Sequence, residues 1–463
     1  MHLLLILVVL AALWAAEYGS AEPVGGSAAR LGAVVAAGAL VALFAAVTAA
    51  ITAWGLQAEA RRRLWLDRYR LLRRVHVGLW LLAAGGIVYG LDWPRVVRHD
   101  WQLEGVFLLG EILILLPLLV PWLLSWAAFY DVERAVGAVL AAAGERPVPL
   151  RSRWGYLAVH VRHHFGLAVV PVVAVLSFQQ AVVPLVRRLP EGPLQPAVLL
   201  LPVAVLLAGF PSLLRHLWQT EPLPPGPLRR RLEAAAGRAG HRPREILLWH
   251  TGGLSANAAV AGFLPGWRYL FLTDALIDQL DEASVESVFA HEMAHVHRGH
   301  LLLRAATILA PVSGWLWLGL VAPETATRLA GLAGELAARA GSGMLAAAFL
   351  ATMAVYVVVV FGGISRLLEK QADLDAATTF AGGDPHAAVE RLAAALERLG
   401  TAGGTRPTAW SWQHPSTAAR IAFLRRTAPV PAAARRFQRR MRLMAGGMHL
   451  FVFAPIAAWL LTG

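Results

Sequence analysis

The segment His291-Glu292-Met293-Ala294-His295 places two imidazoles at positions i and i+4 with a carboxylate beside the first, the pattern of zinc-dependent peptidases. On an α-helix this spacing brings both imidazoles to one face, where they can fill two positions of a tetrahedral Zn²⁺. Glu292 then lies beside the attacking water and is the candidate general base. A catalytic zinc takes three protein ligands and keeps one position open, so the pair needs a partner. The chain has no cysteine, which excludes disulfides and thiolate ligands and restricts the metal to His, Asp or Glu. Glu369 is the candidate third ligand, and Asp373, one turn later on the same helical face, is placed to support a ligand by hydrogen bonding. One Zn²⁺ per chain is therefore expected.

The elements that must carry these residues are largely membrane helices. Of 463 residues, 57% are hydrophobic and only 15% charged, far more apolar than a soluble globular protein. Stretches of the length a bilayer needs are read at 32–55, 106–128, 165–185, 195–214, 344–362 and 444–461, with shorter or interrupted ones at 3–16, 77–93 and 303–320. The first is read as an anchor in preference to a signal peptide ending at Gly19-Ser20-Ala21, because it lacks a basic start. The net charge of +13 would suggest nucleic acid in a soluble protein, but the arginines sit beside the apolar spans, so nucleic-acid binding is excluded and bilayer orientation explains them. One rich loop holds Arg61, Arg62, Arg63, Arg68, Arg70, Arg73 and Arg74, and another Arg134, Arg146, Arg151, Arg153 and Arg162. Alternate loops carry only Arg30, then Arg95 and Arg98, then Arg187 and Arg188, then Arg328 and Arg339. This alternation puts the N-terminus, residues 215–300 and residues 365–440 on the cytoplasmic side of the cell (inner) membrane, so Glu369 emerges on the same side as His291 and His295.

The expected organisation is a transmembrane block of about six spans over 1–215 and a catalytic segment over 216–302, opened by the Pro-rich run Glu221-Pro222-Leu223-Pro224-Pro225-Gly226-Pro227. Two spans over 303–362, a second cytoplasmic segment over 363–440 and a last span over 441–463 complete it. Within the catalytic segment the patterns predict a helix over 227–238, strands at 246–250, 255–262 and 269–273, and then the motif helix with Asp281 as its N-cap. The fold class is an α-helical multi-spanning membrane protein with a small cytoplasmic α+β zinc-peptidase core.

Four separated motifs carry a resemblance to the HtpX-like and CAAX prenyl endopeptidase family of integral-membrane zinc metallopeptidases. They are Asn257-Ala258-Ala259-Val260-Ala261-Gly262, the HEMAH segment itself, Ser365-Arg366 followed by Glu369 and Asp373, and His414-Pro415-Ser416 followed by Arg420-Ile421. The resemblance implies His291, His295 and Glu369 as zinc ligands and Glu292 as base. It also implies an edge strand with Asn257, Ala259 and Ala261 along which an extended substrate aligns, and His414 and Arg420 as supports of the transition state. The partners it implies are peptide or protein substrates, membrane-bound or prenylated ones included, and the lipid bilayer. Ala294, where relatives often carry glycine, and Lys370, beside the third ligand, depart from the family pattern without removing a catalytic atom.

The expected function is peptide-bond hydrolysis at the membrane face, in membrane-protein quality control or CAAX-type processing. Two rival readings are a signalling protease with one dedicated repressor substrate and a non-catalytic membrane scaffold. His297 and His300 are read as polar residues of a helix end, and His160, His163 and His164 as interfacial, none of them ligands. Glu111 interrupts an apolar span and is read as facing either a polar interior or a packed neighbouring helix. Trp122, Trp126 and Trp218 are read as anchors at span ends.

Overall fold

The computed structural model describes residues 2–17, 24–142, 152–186, 188, 194–251, 256–262, 266–340, 342–380, 384–402, 407–409 and 411–462. The Gly19-Ser20-Ala21 segment lies outside them. Among the described residues seven helices are long and apolar enough to cross a membrane: Ser27–Leu56, Leu64–Gly90, Leu109–Ala138, Arg153–Val186, His300–Val321, Ala351–Thr378 and Pro431–Ala458. Leu4–Glu17 is a shorter apolar helix, and the stretch expected at 195–214 lies within a helix over Leu194–Leu217. The chain divides into two compact units, Met1–Trp218 with Ala340–Ala347, and Gln219–Arg339 with Ala348–Gly463.

The first unit is helical. Ser27–Leu56 packs closely on Leu109–Ala142, and Gly38 lies so near Pro121 that a Cβ would meet its ring at 2.9 Å. The tryptophans expected as interfacial anchors are instead buried, Trp122, Trp126 and Trp218 each below a tenth exposed. Rings from neighbouring helices cover them: Trp122 packs on His76 and Trp80, Trp126 on His160, His164 and Phe165, and Trp218 on His163. An amphipathic ring serves a packed core as well as an interface, so sequence alone misassigns it. Glu111 is buried and faces Arg98 at 3.5 Å, so a helix-packing ion pair accounts for it.

The second unit contains a four-stranded sheet in the order β1-β2-β4-β3, from Thr220–Pro222, Glu245–Trp249, Ala258–Ala261 and Tyr269–Thr273. β1 runs antiparallel to β2, β2 parallel to β4, and β3 antiparallel to β4, leaving β3 at an edge. β4 is buried along its whole length, as a strand between a helix layer and its neighbours must be. Of the segment expected as a strand over 255–262, Ser255 lies outside the described residues and Ala258–Ala261 form the strand; it ends at Gly262, whose φ of +123° and approach to the Trp267 carbonyl at 2.6 Å from a would-be Cβ admit only glycine.

The motif helix, Glu282–His297, starts where predicted: Asp281 accepts a hydrogen bond from the Ser284 amide at 2.9 Å, and Glu282 lies in the first turn. Its inner face, with Val285, Phe289 and Met293, packs into one core with Leu270, Leu272, Ala372, Leu392 and Leu424. Gly299, with φ of +65°, ends it and starts the apolar helix His300–Val321. The stretch read as a loop around Arg328 is a helix, Pro323–Ala340, whose mixed apolar and charged residues give it a two-faced surface instead of the uniform apolar one of a span. The ligand helix, Gly362–Thr378, follows Ser342–Tyr356 through one widened, π-type turn at Val357–Phe361.

Candidate metal centre

Three chain segments meet at the motif helix: the motif itself, the ligand helix with Glu369 and Asp373, and the loop and helix with His414 and Arg420. The third is fixed to the second by close contact. Gly362 lies so near the Trp412 carbonyl that a Cβ would approach it at 2.4 Å, and Arg366 donates to the same oxygen at 2.7 Å. Arg366 of the sequence motif thereby holds the loop that carries His414. Ser416 then caps helix Thr417–Thr427, accepting from the Ala419 amide, and that helix delivers Arg420.

His291 Nε2 and His295 Nε2 stand 3.2 Å apart, and each lies 3.5 Å from an oxygen of Glu369. Zinc bonds of 2.0–2.1 Å in a tetrahedron give ligand separations of about 3.3 Å, close to the spacing of the two imidazoles, while Glu369 turns Oε2 to His291 and Oε1 to His295, so that one atom from each residue lies within 4.8 Å of the other two. Among the described residues they are the one group of three or more His, Asp or Glu with converging ligand atoms. His291 and Glu369 are below a tenth exposed. The donor set of two imidazoles and a carboxylate fits zinc, which in catalytic sites takes three protein ligands.

Behind the donors, Asp373 Oδ1 lies 2.9 Å from His291 Nδ1. Asp373 is fully buried, and Arg420 closes on it with Nη2 at 2.6 Å and Nε at 2.8 Å. This carboxylate fixes the ring so that Nε2 faces the other ligands, the arrangement common behind metal-bound histidine. His414, half exposed, places Nδ1 3.2 Å from Glu369 Oε2, and Arg304 donates to Glu369 Oε1 at 3.0 Å. Arg304 was not foreseen: it lies one helix beyond the motif in what reads as a membrane span, with nothing in the local pattern to mark it. His300 was foreseen only as a polar helix end, yet it is 1% exposed and its Nδ1 lies 2.7 Å from His295 Nδ1. His297 is exposed and packs on His241 and Phe380, away from the donors.

The electrostatics divide the two imidazoles. Burial works against a charge on His291, but the charge of Asp373 and then its hydrogen bond, with a further bond from Glu369, outweigh it and push His291 up to about 9. Burial holds His295 well below the ordinary value, and the neighbouring His291 adds to this. Burial pushes Glu292 up to about 7, against the lowering effect of His291. Burial disfavours the charge on Arg420, and Asp373 more than restores it, so the guanidinium stays charged.

The edge strand packs on the motif helix through Ala258, with Val260 against the same core. The Thr273 amide donates to the Asn257 carbonyl at 3.0 Å, which fixes the hydrogen-bonding phase of β3. Asn257, Ala259 and Ala261 therefore direct their backbone groups to β4, and those of Ala258 and Val260 face the open edge, in place of the expected Ala259 and Ala261. Ala294 is fully buried in the core, so its methyl is accommodated, and Lys370 lies over the Phe423 ring at 5.5 Å, away from the donors.

Residues 222–428 match Peptidase family M48. A protein named Protease HtpX homolog from Desulforapulum autotrophicum is 33% identical over 148 residues, covering 31% of this chain and 44% of that protein. Another of that name from Ralstonia pickettii is 30% identical over 197 residues, covering 41% of this chain and 61% of its own length. The chain thus spans about half the length of these curated relatives. The crystal structure of S. mikatae Ste24p aligns over 84% of this chain and 99% of its own, with 14% identity and a TM-score of 0.49.

Proposed function

From the match of residues 222–428 to Peptidase family M48 we propose that the chain is a membrane-embedded zinc metalloendopeptidase that cleaves extended polypeptides at the cytoplasmic face. The observation that carries this reading is the convergence of His291, His295 and Glu369, whose ligand atoms, one from each residue, lie within 4.8 Å of one another. Bound there, Zn²⁺ supplies a Lewis acid for the scissile carbonyl and lowers the pKa of water.

The chain's own residues do the rest. Glu292, raised to about 7 by burial, takes the proton of the attacking water and passes it to the leaving amine. His414 lies on an exposed loop beside Glu369, which supports a role for it in donating to the carbonyl oxygen as charge develops there. Arg420 is bound to Asp373, so its role is to hold the Asp373–His291 pair, not to touch substrate. Backbone groups of Ala258 and Val260 pair with the substrate as an added strand, which gives affinity with little side-chain selection. That suits turnover of unfolded membrane proteins more than a single dedicated substrate.

The test compares detergent-purified wild type with Glu292→Gln. Equal zinc content near one per chain, with cleavage of an unfolded membrane protein by wild type alone, supports the reading. A preference for a prenylated peptide would redirect it to lipid-peptide processing. Zinc bound with no cleavage of either substrate would refute the peptidase reading, and absence of zinc would refute the ligand set.

A further inference from the structure

His291 has a carboxylate behind it; His295 has none, and what stands in its place is a chain of hydrogen bonds leading to another helix. His295 Nδ1 lies 2.7 Å from His300 Nδ1, and His300 Nε2 lies 3.0 Å from Gln371 Oε1. Gln371 Nε2 donates to Gln438 Oε1 at 2.5 Å, and Gln438 Nε2 donates to Asp375 Oδ1 at 2.7 Å. Asp375 is in turn clamped by Arg298, from the turn that ends the motif helix, at 2.5 and 2.9 Å. His300, Gln371 and Asp375 are each below a twentieth exposed.

The polarity of this chain admits one assignment. The amide nitrogens of Gln371 and Gln438 can only donate and their oxygens only accept, so the donors run outward and end on the Asp375 carboxylate. His300 Nε2 must then carry the proton given to Gln371 Oε1, which leaves His300 Nδ1 as an acceptor. His295 Nδ1 must donate to it, and His295 Nε2 is left with its lone pair toward His291 and Glu369. We propose that the chain His300–Gln371–Gln438–Asp375 is a positioning device that fixes the tautomer and ring orientation of His295, and that through Gln438 the last helix, Pro431–Thr462, controls the metal site without supplying a ligand to it. Two differently built supports then hold the two imidazoles, one ionic from the ligand helix and one neutral and spread over three helices. Loss of such a support costs 10–100-fold in metal affinity.

This inference rests on His295 being a metal ligand, but not on peptidase activity. Full-length protein in detergent is loaded with Zn²⁺ and titrated with a chelator, and separately loaded with Co²⁺ for visible spectroscopy. His300→Phe keeps the ring volume and removes both hydrogen bonds; His300→Gln keeps an acceptor followed by a donor; Gln438→Leu breaks the chain two residues away from His300. The expected result is zinc affinity weakened roughly 10–100-fold in His300→Phe and several-fold in Gln438→Leu, with a shifted Co²⁺ spectrum in both and near wild-type behaviour in His300→Gln. Thermal melting of the metal-free proteins separates this from unfolding. Unchanged affinity and spectrum in folded His300→Phe overturn the proposal, as does an equal loss in His300→Gln. If wild type binds zinc in this way yet cleaves nothing, the peptidase reading falls and the positioning inference stands on the affinities alone.

Discussion

Arg420 closes on Asp373 through two nitrogens, at 2.6 and 2.8 Å, in a pair whose carboxylate has no exposure at all. Removing the cation strands that carboxylate in a dry interior, a loss of about 3–5 kcal/mol for a buried pair. Arg420→Ala is expected to lower the melting temperature strongly, whereas Arg420→Ala combined with Asp373→Asn should be less unstable than Arg420→Ala alone, because the stranded charge is gone. Melting curves of the two variants in one detergent check this; additive losses would show that the pair is not coupled.

Asp373 also sets how zinc and protons compete. A histidine raised to about 9 contributes stability to the metal-free fold below the ordinary value of about 6.5, and that contribution is lost as pH rises through about 9. Zinc must displace this proton, so its affinity should climb with pH from neutral to about 9 and then level. In Asp373→Asn the affinity should drop about 10–100-fold. The climb between pH 7 and 9 should also disappear in this variant. Chelator competition across pH measures both.

Glu292 works as a base only when ionised, and burial raises it to about 7 in the metal-free site. A bound dication lowers it from there. The rate of cleavage should therefore rise with pH along an acid limb centred at or below 7. A kcat/KM profile with its acid limb well above 7 would exclude Glu292 as that base.

The phase of β3 gives two neighbouring substitutions opposite outcomes. Val260→Pro removes an amide that faces the open edge, so it should raise KM for extended substrates while leaving zinc content and folding intact. Ala259→Pro removes an amide directed at β4 and should destabilise the sheet itself. Equal effects of the two on KM, with no loss of folding in either, would mean that substrate does not pair along this strand.

Local chemistry made much of this protein legible in its residues. The spacing of His291 and His295 required a helix with both rings on one face, and Asp281 marked its N-terminal end. The absence of cysteine limited the ligands, and the four motifs named Glu369 and Asp373 as partners. Tertiary structure decided what local pattern does not encode. His300 reads as a polar helix end and Arg304 as part of a membrane span, and only the fold-back at Gly299 and the approach of the ligand helix turn them onto His295 and Glu369. Gln438 lies 67 residues from Gln371, a separation at which no periodicity links two side chains. The tryptophans illustrate the same limit, since a ring suited to an interface is equally suited to a core, and its neighbours decide which. Spacing within one helix is fixed by backbone geometry and can be read directly; contact between helices is fixed by packing, which exists only once the chain has folded.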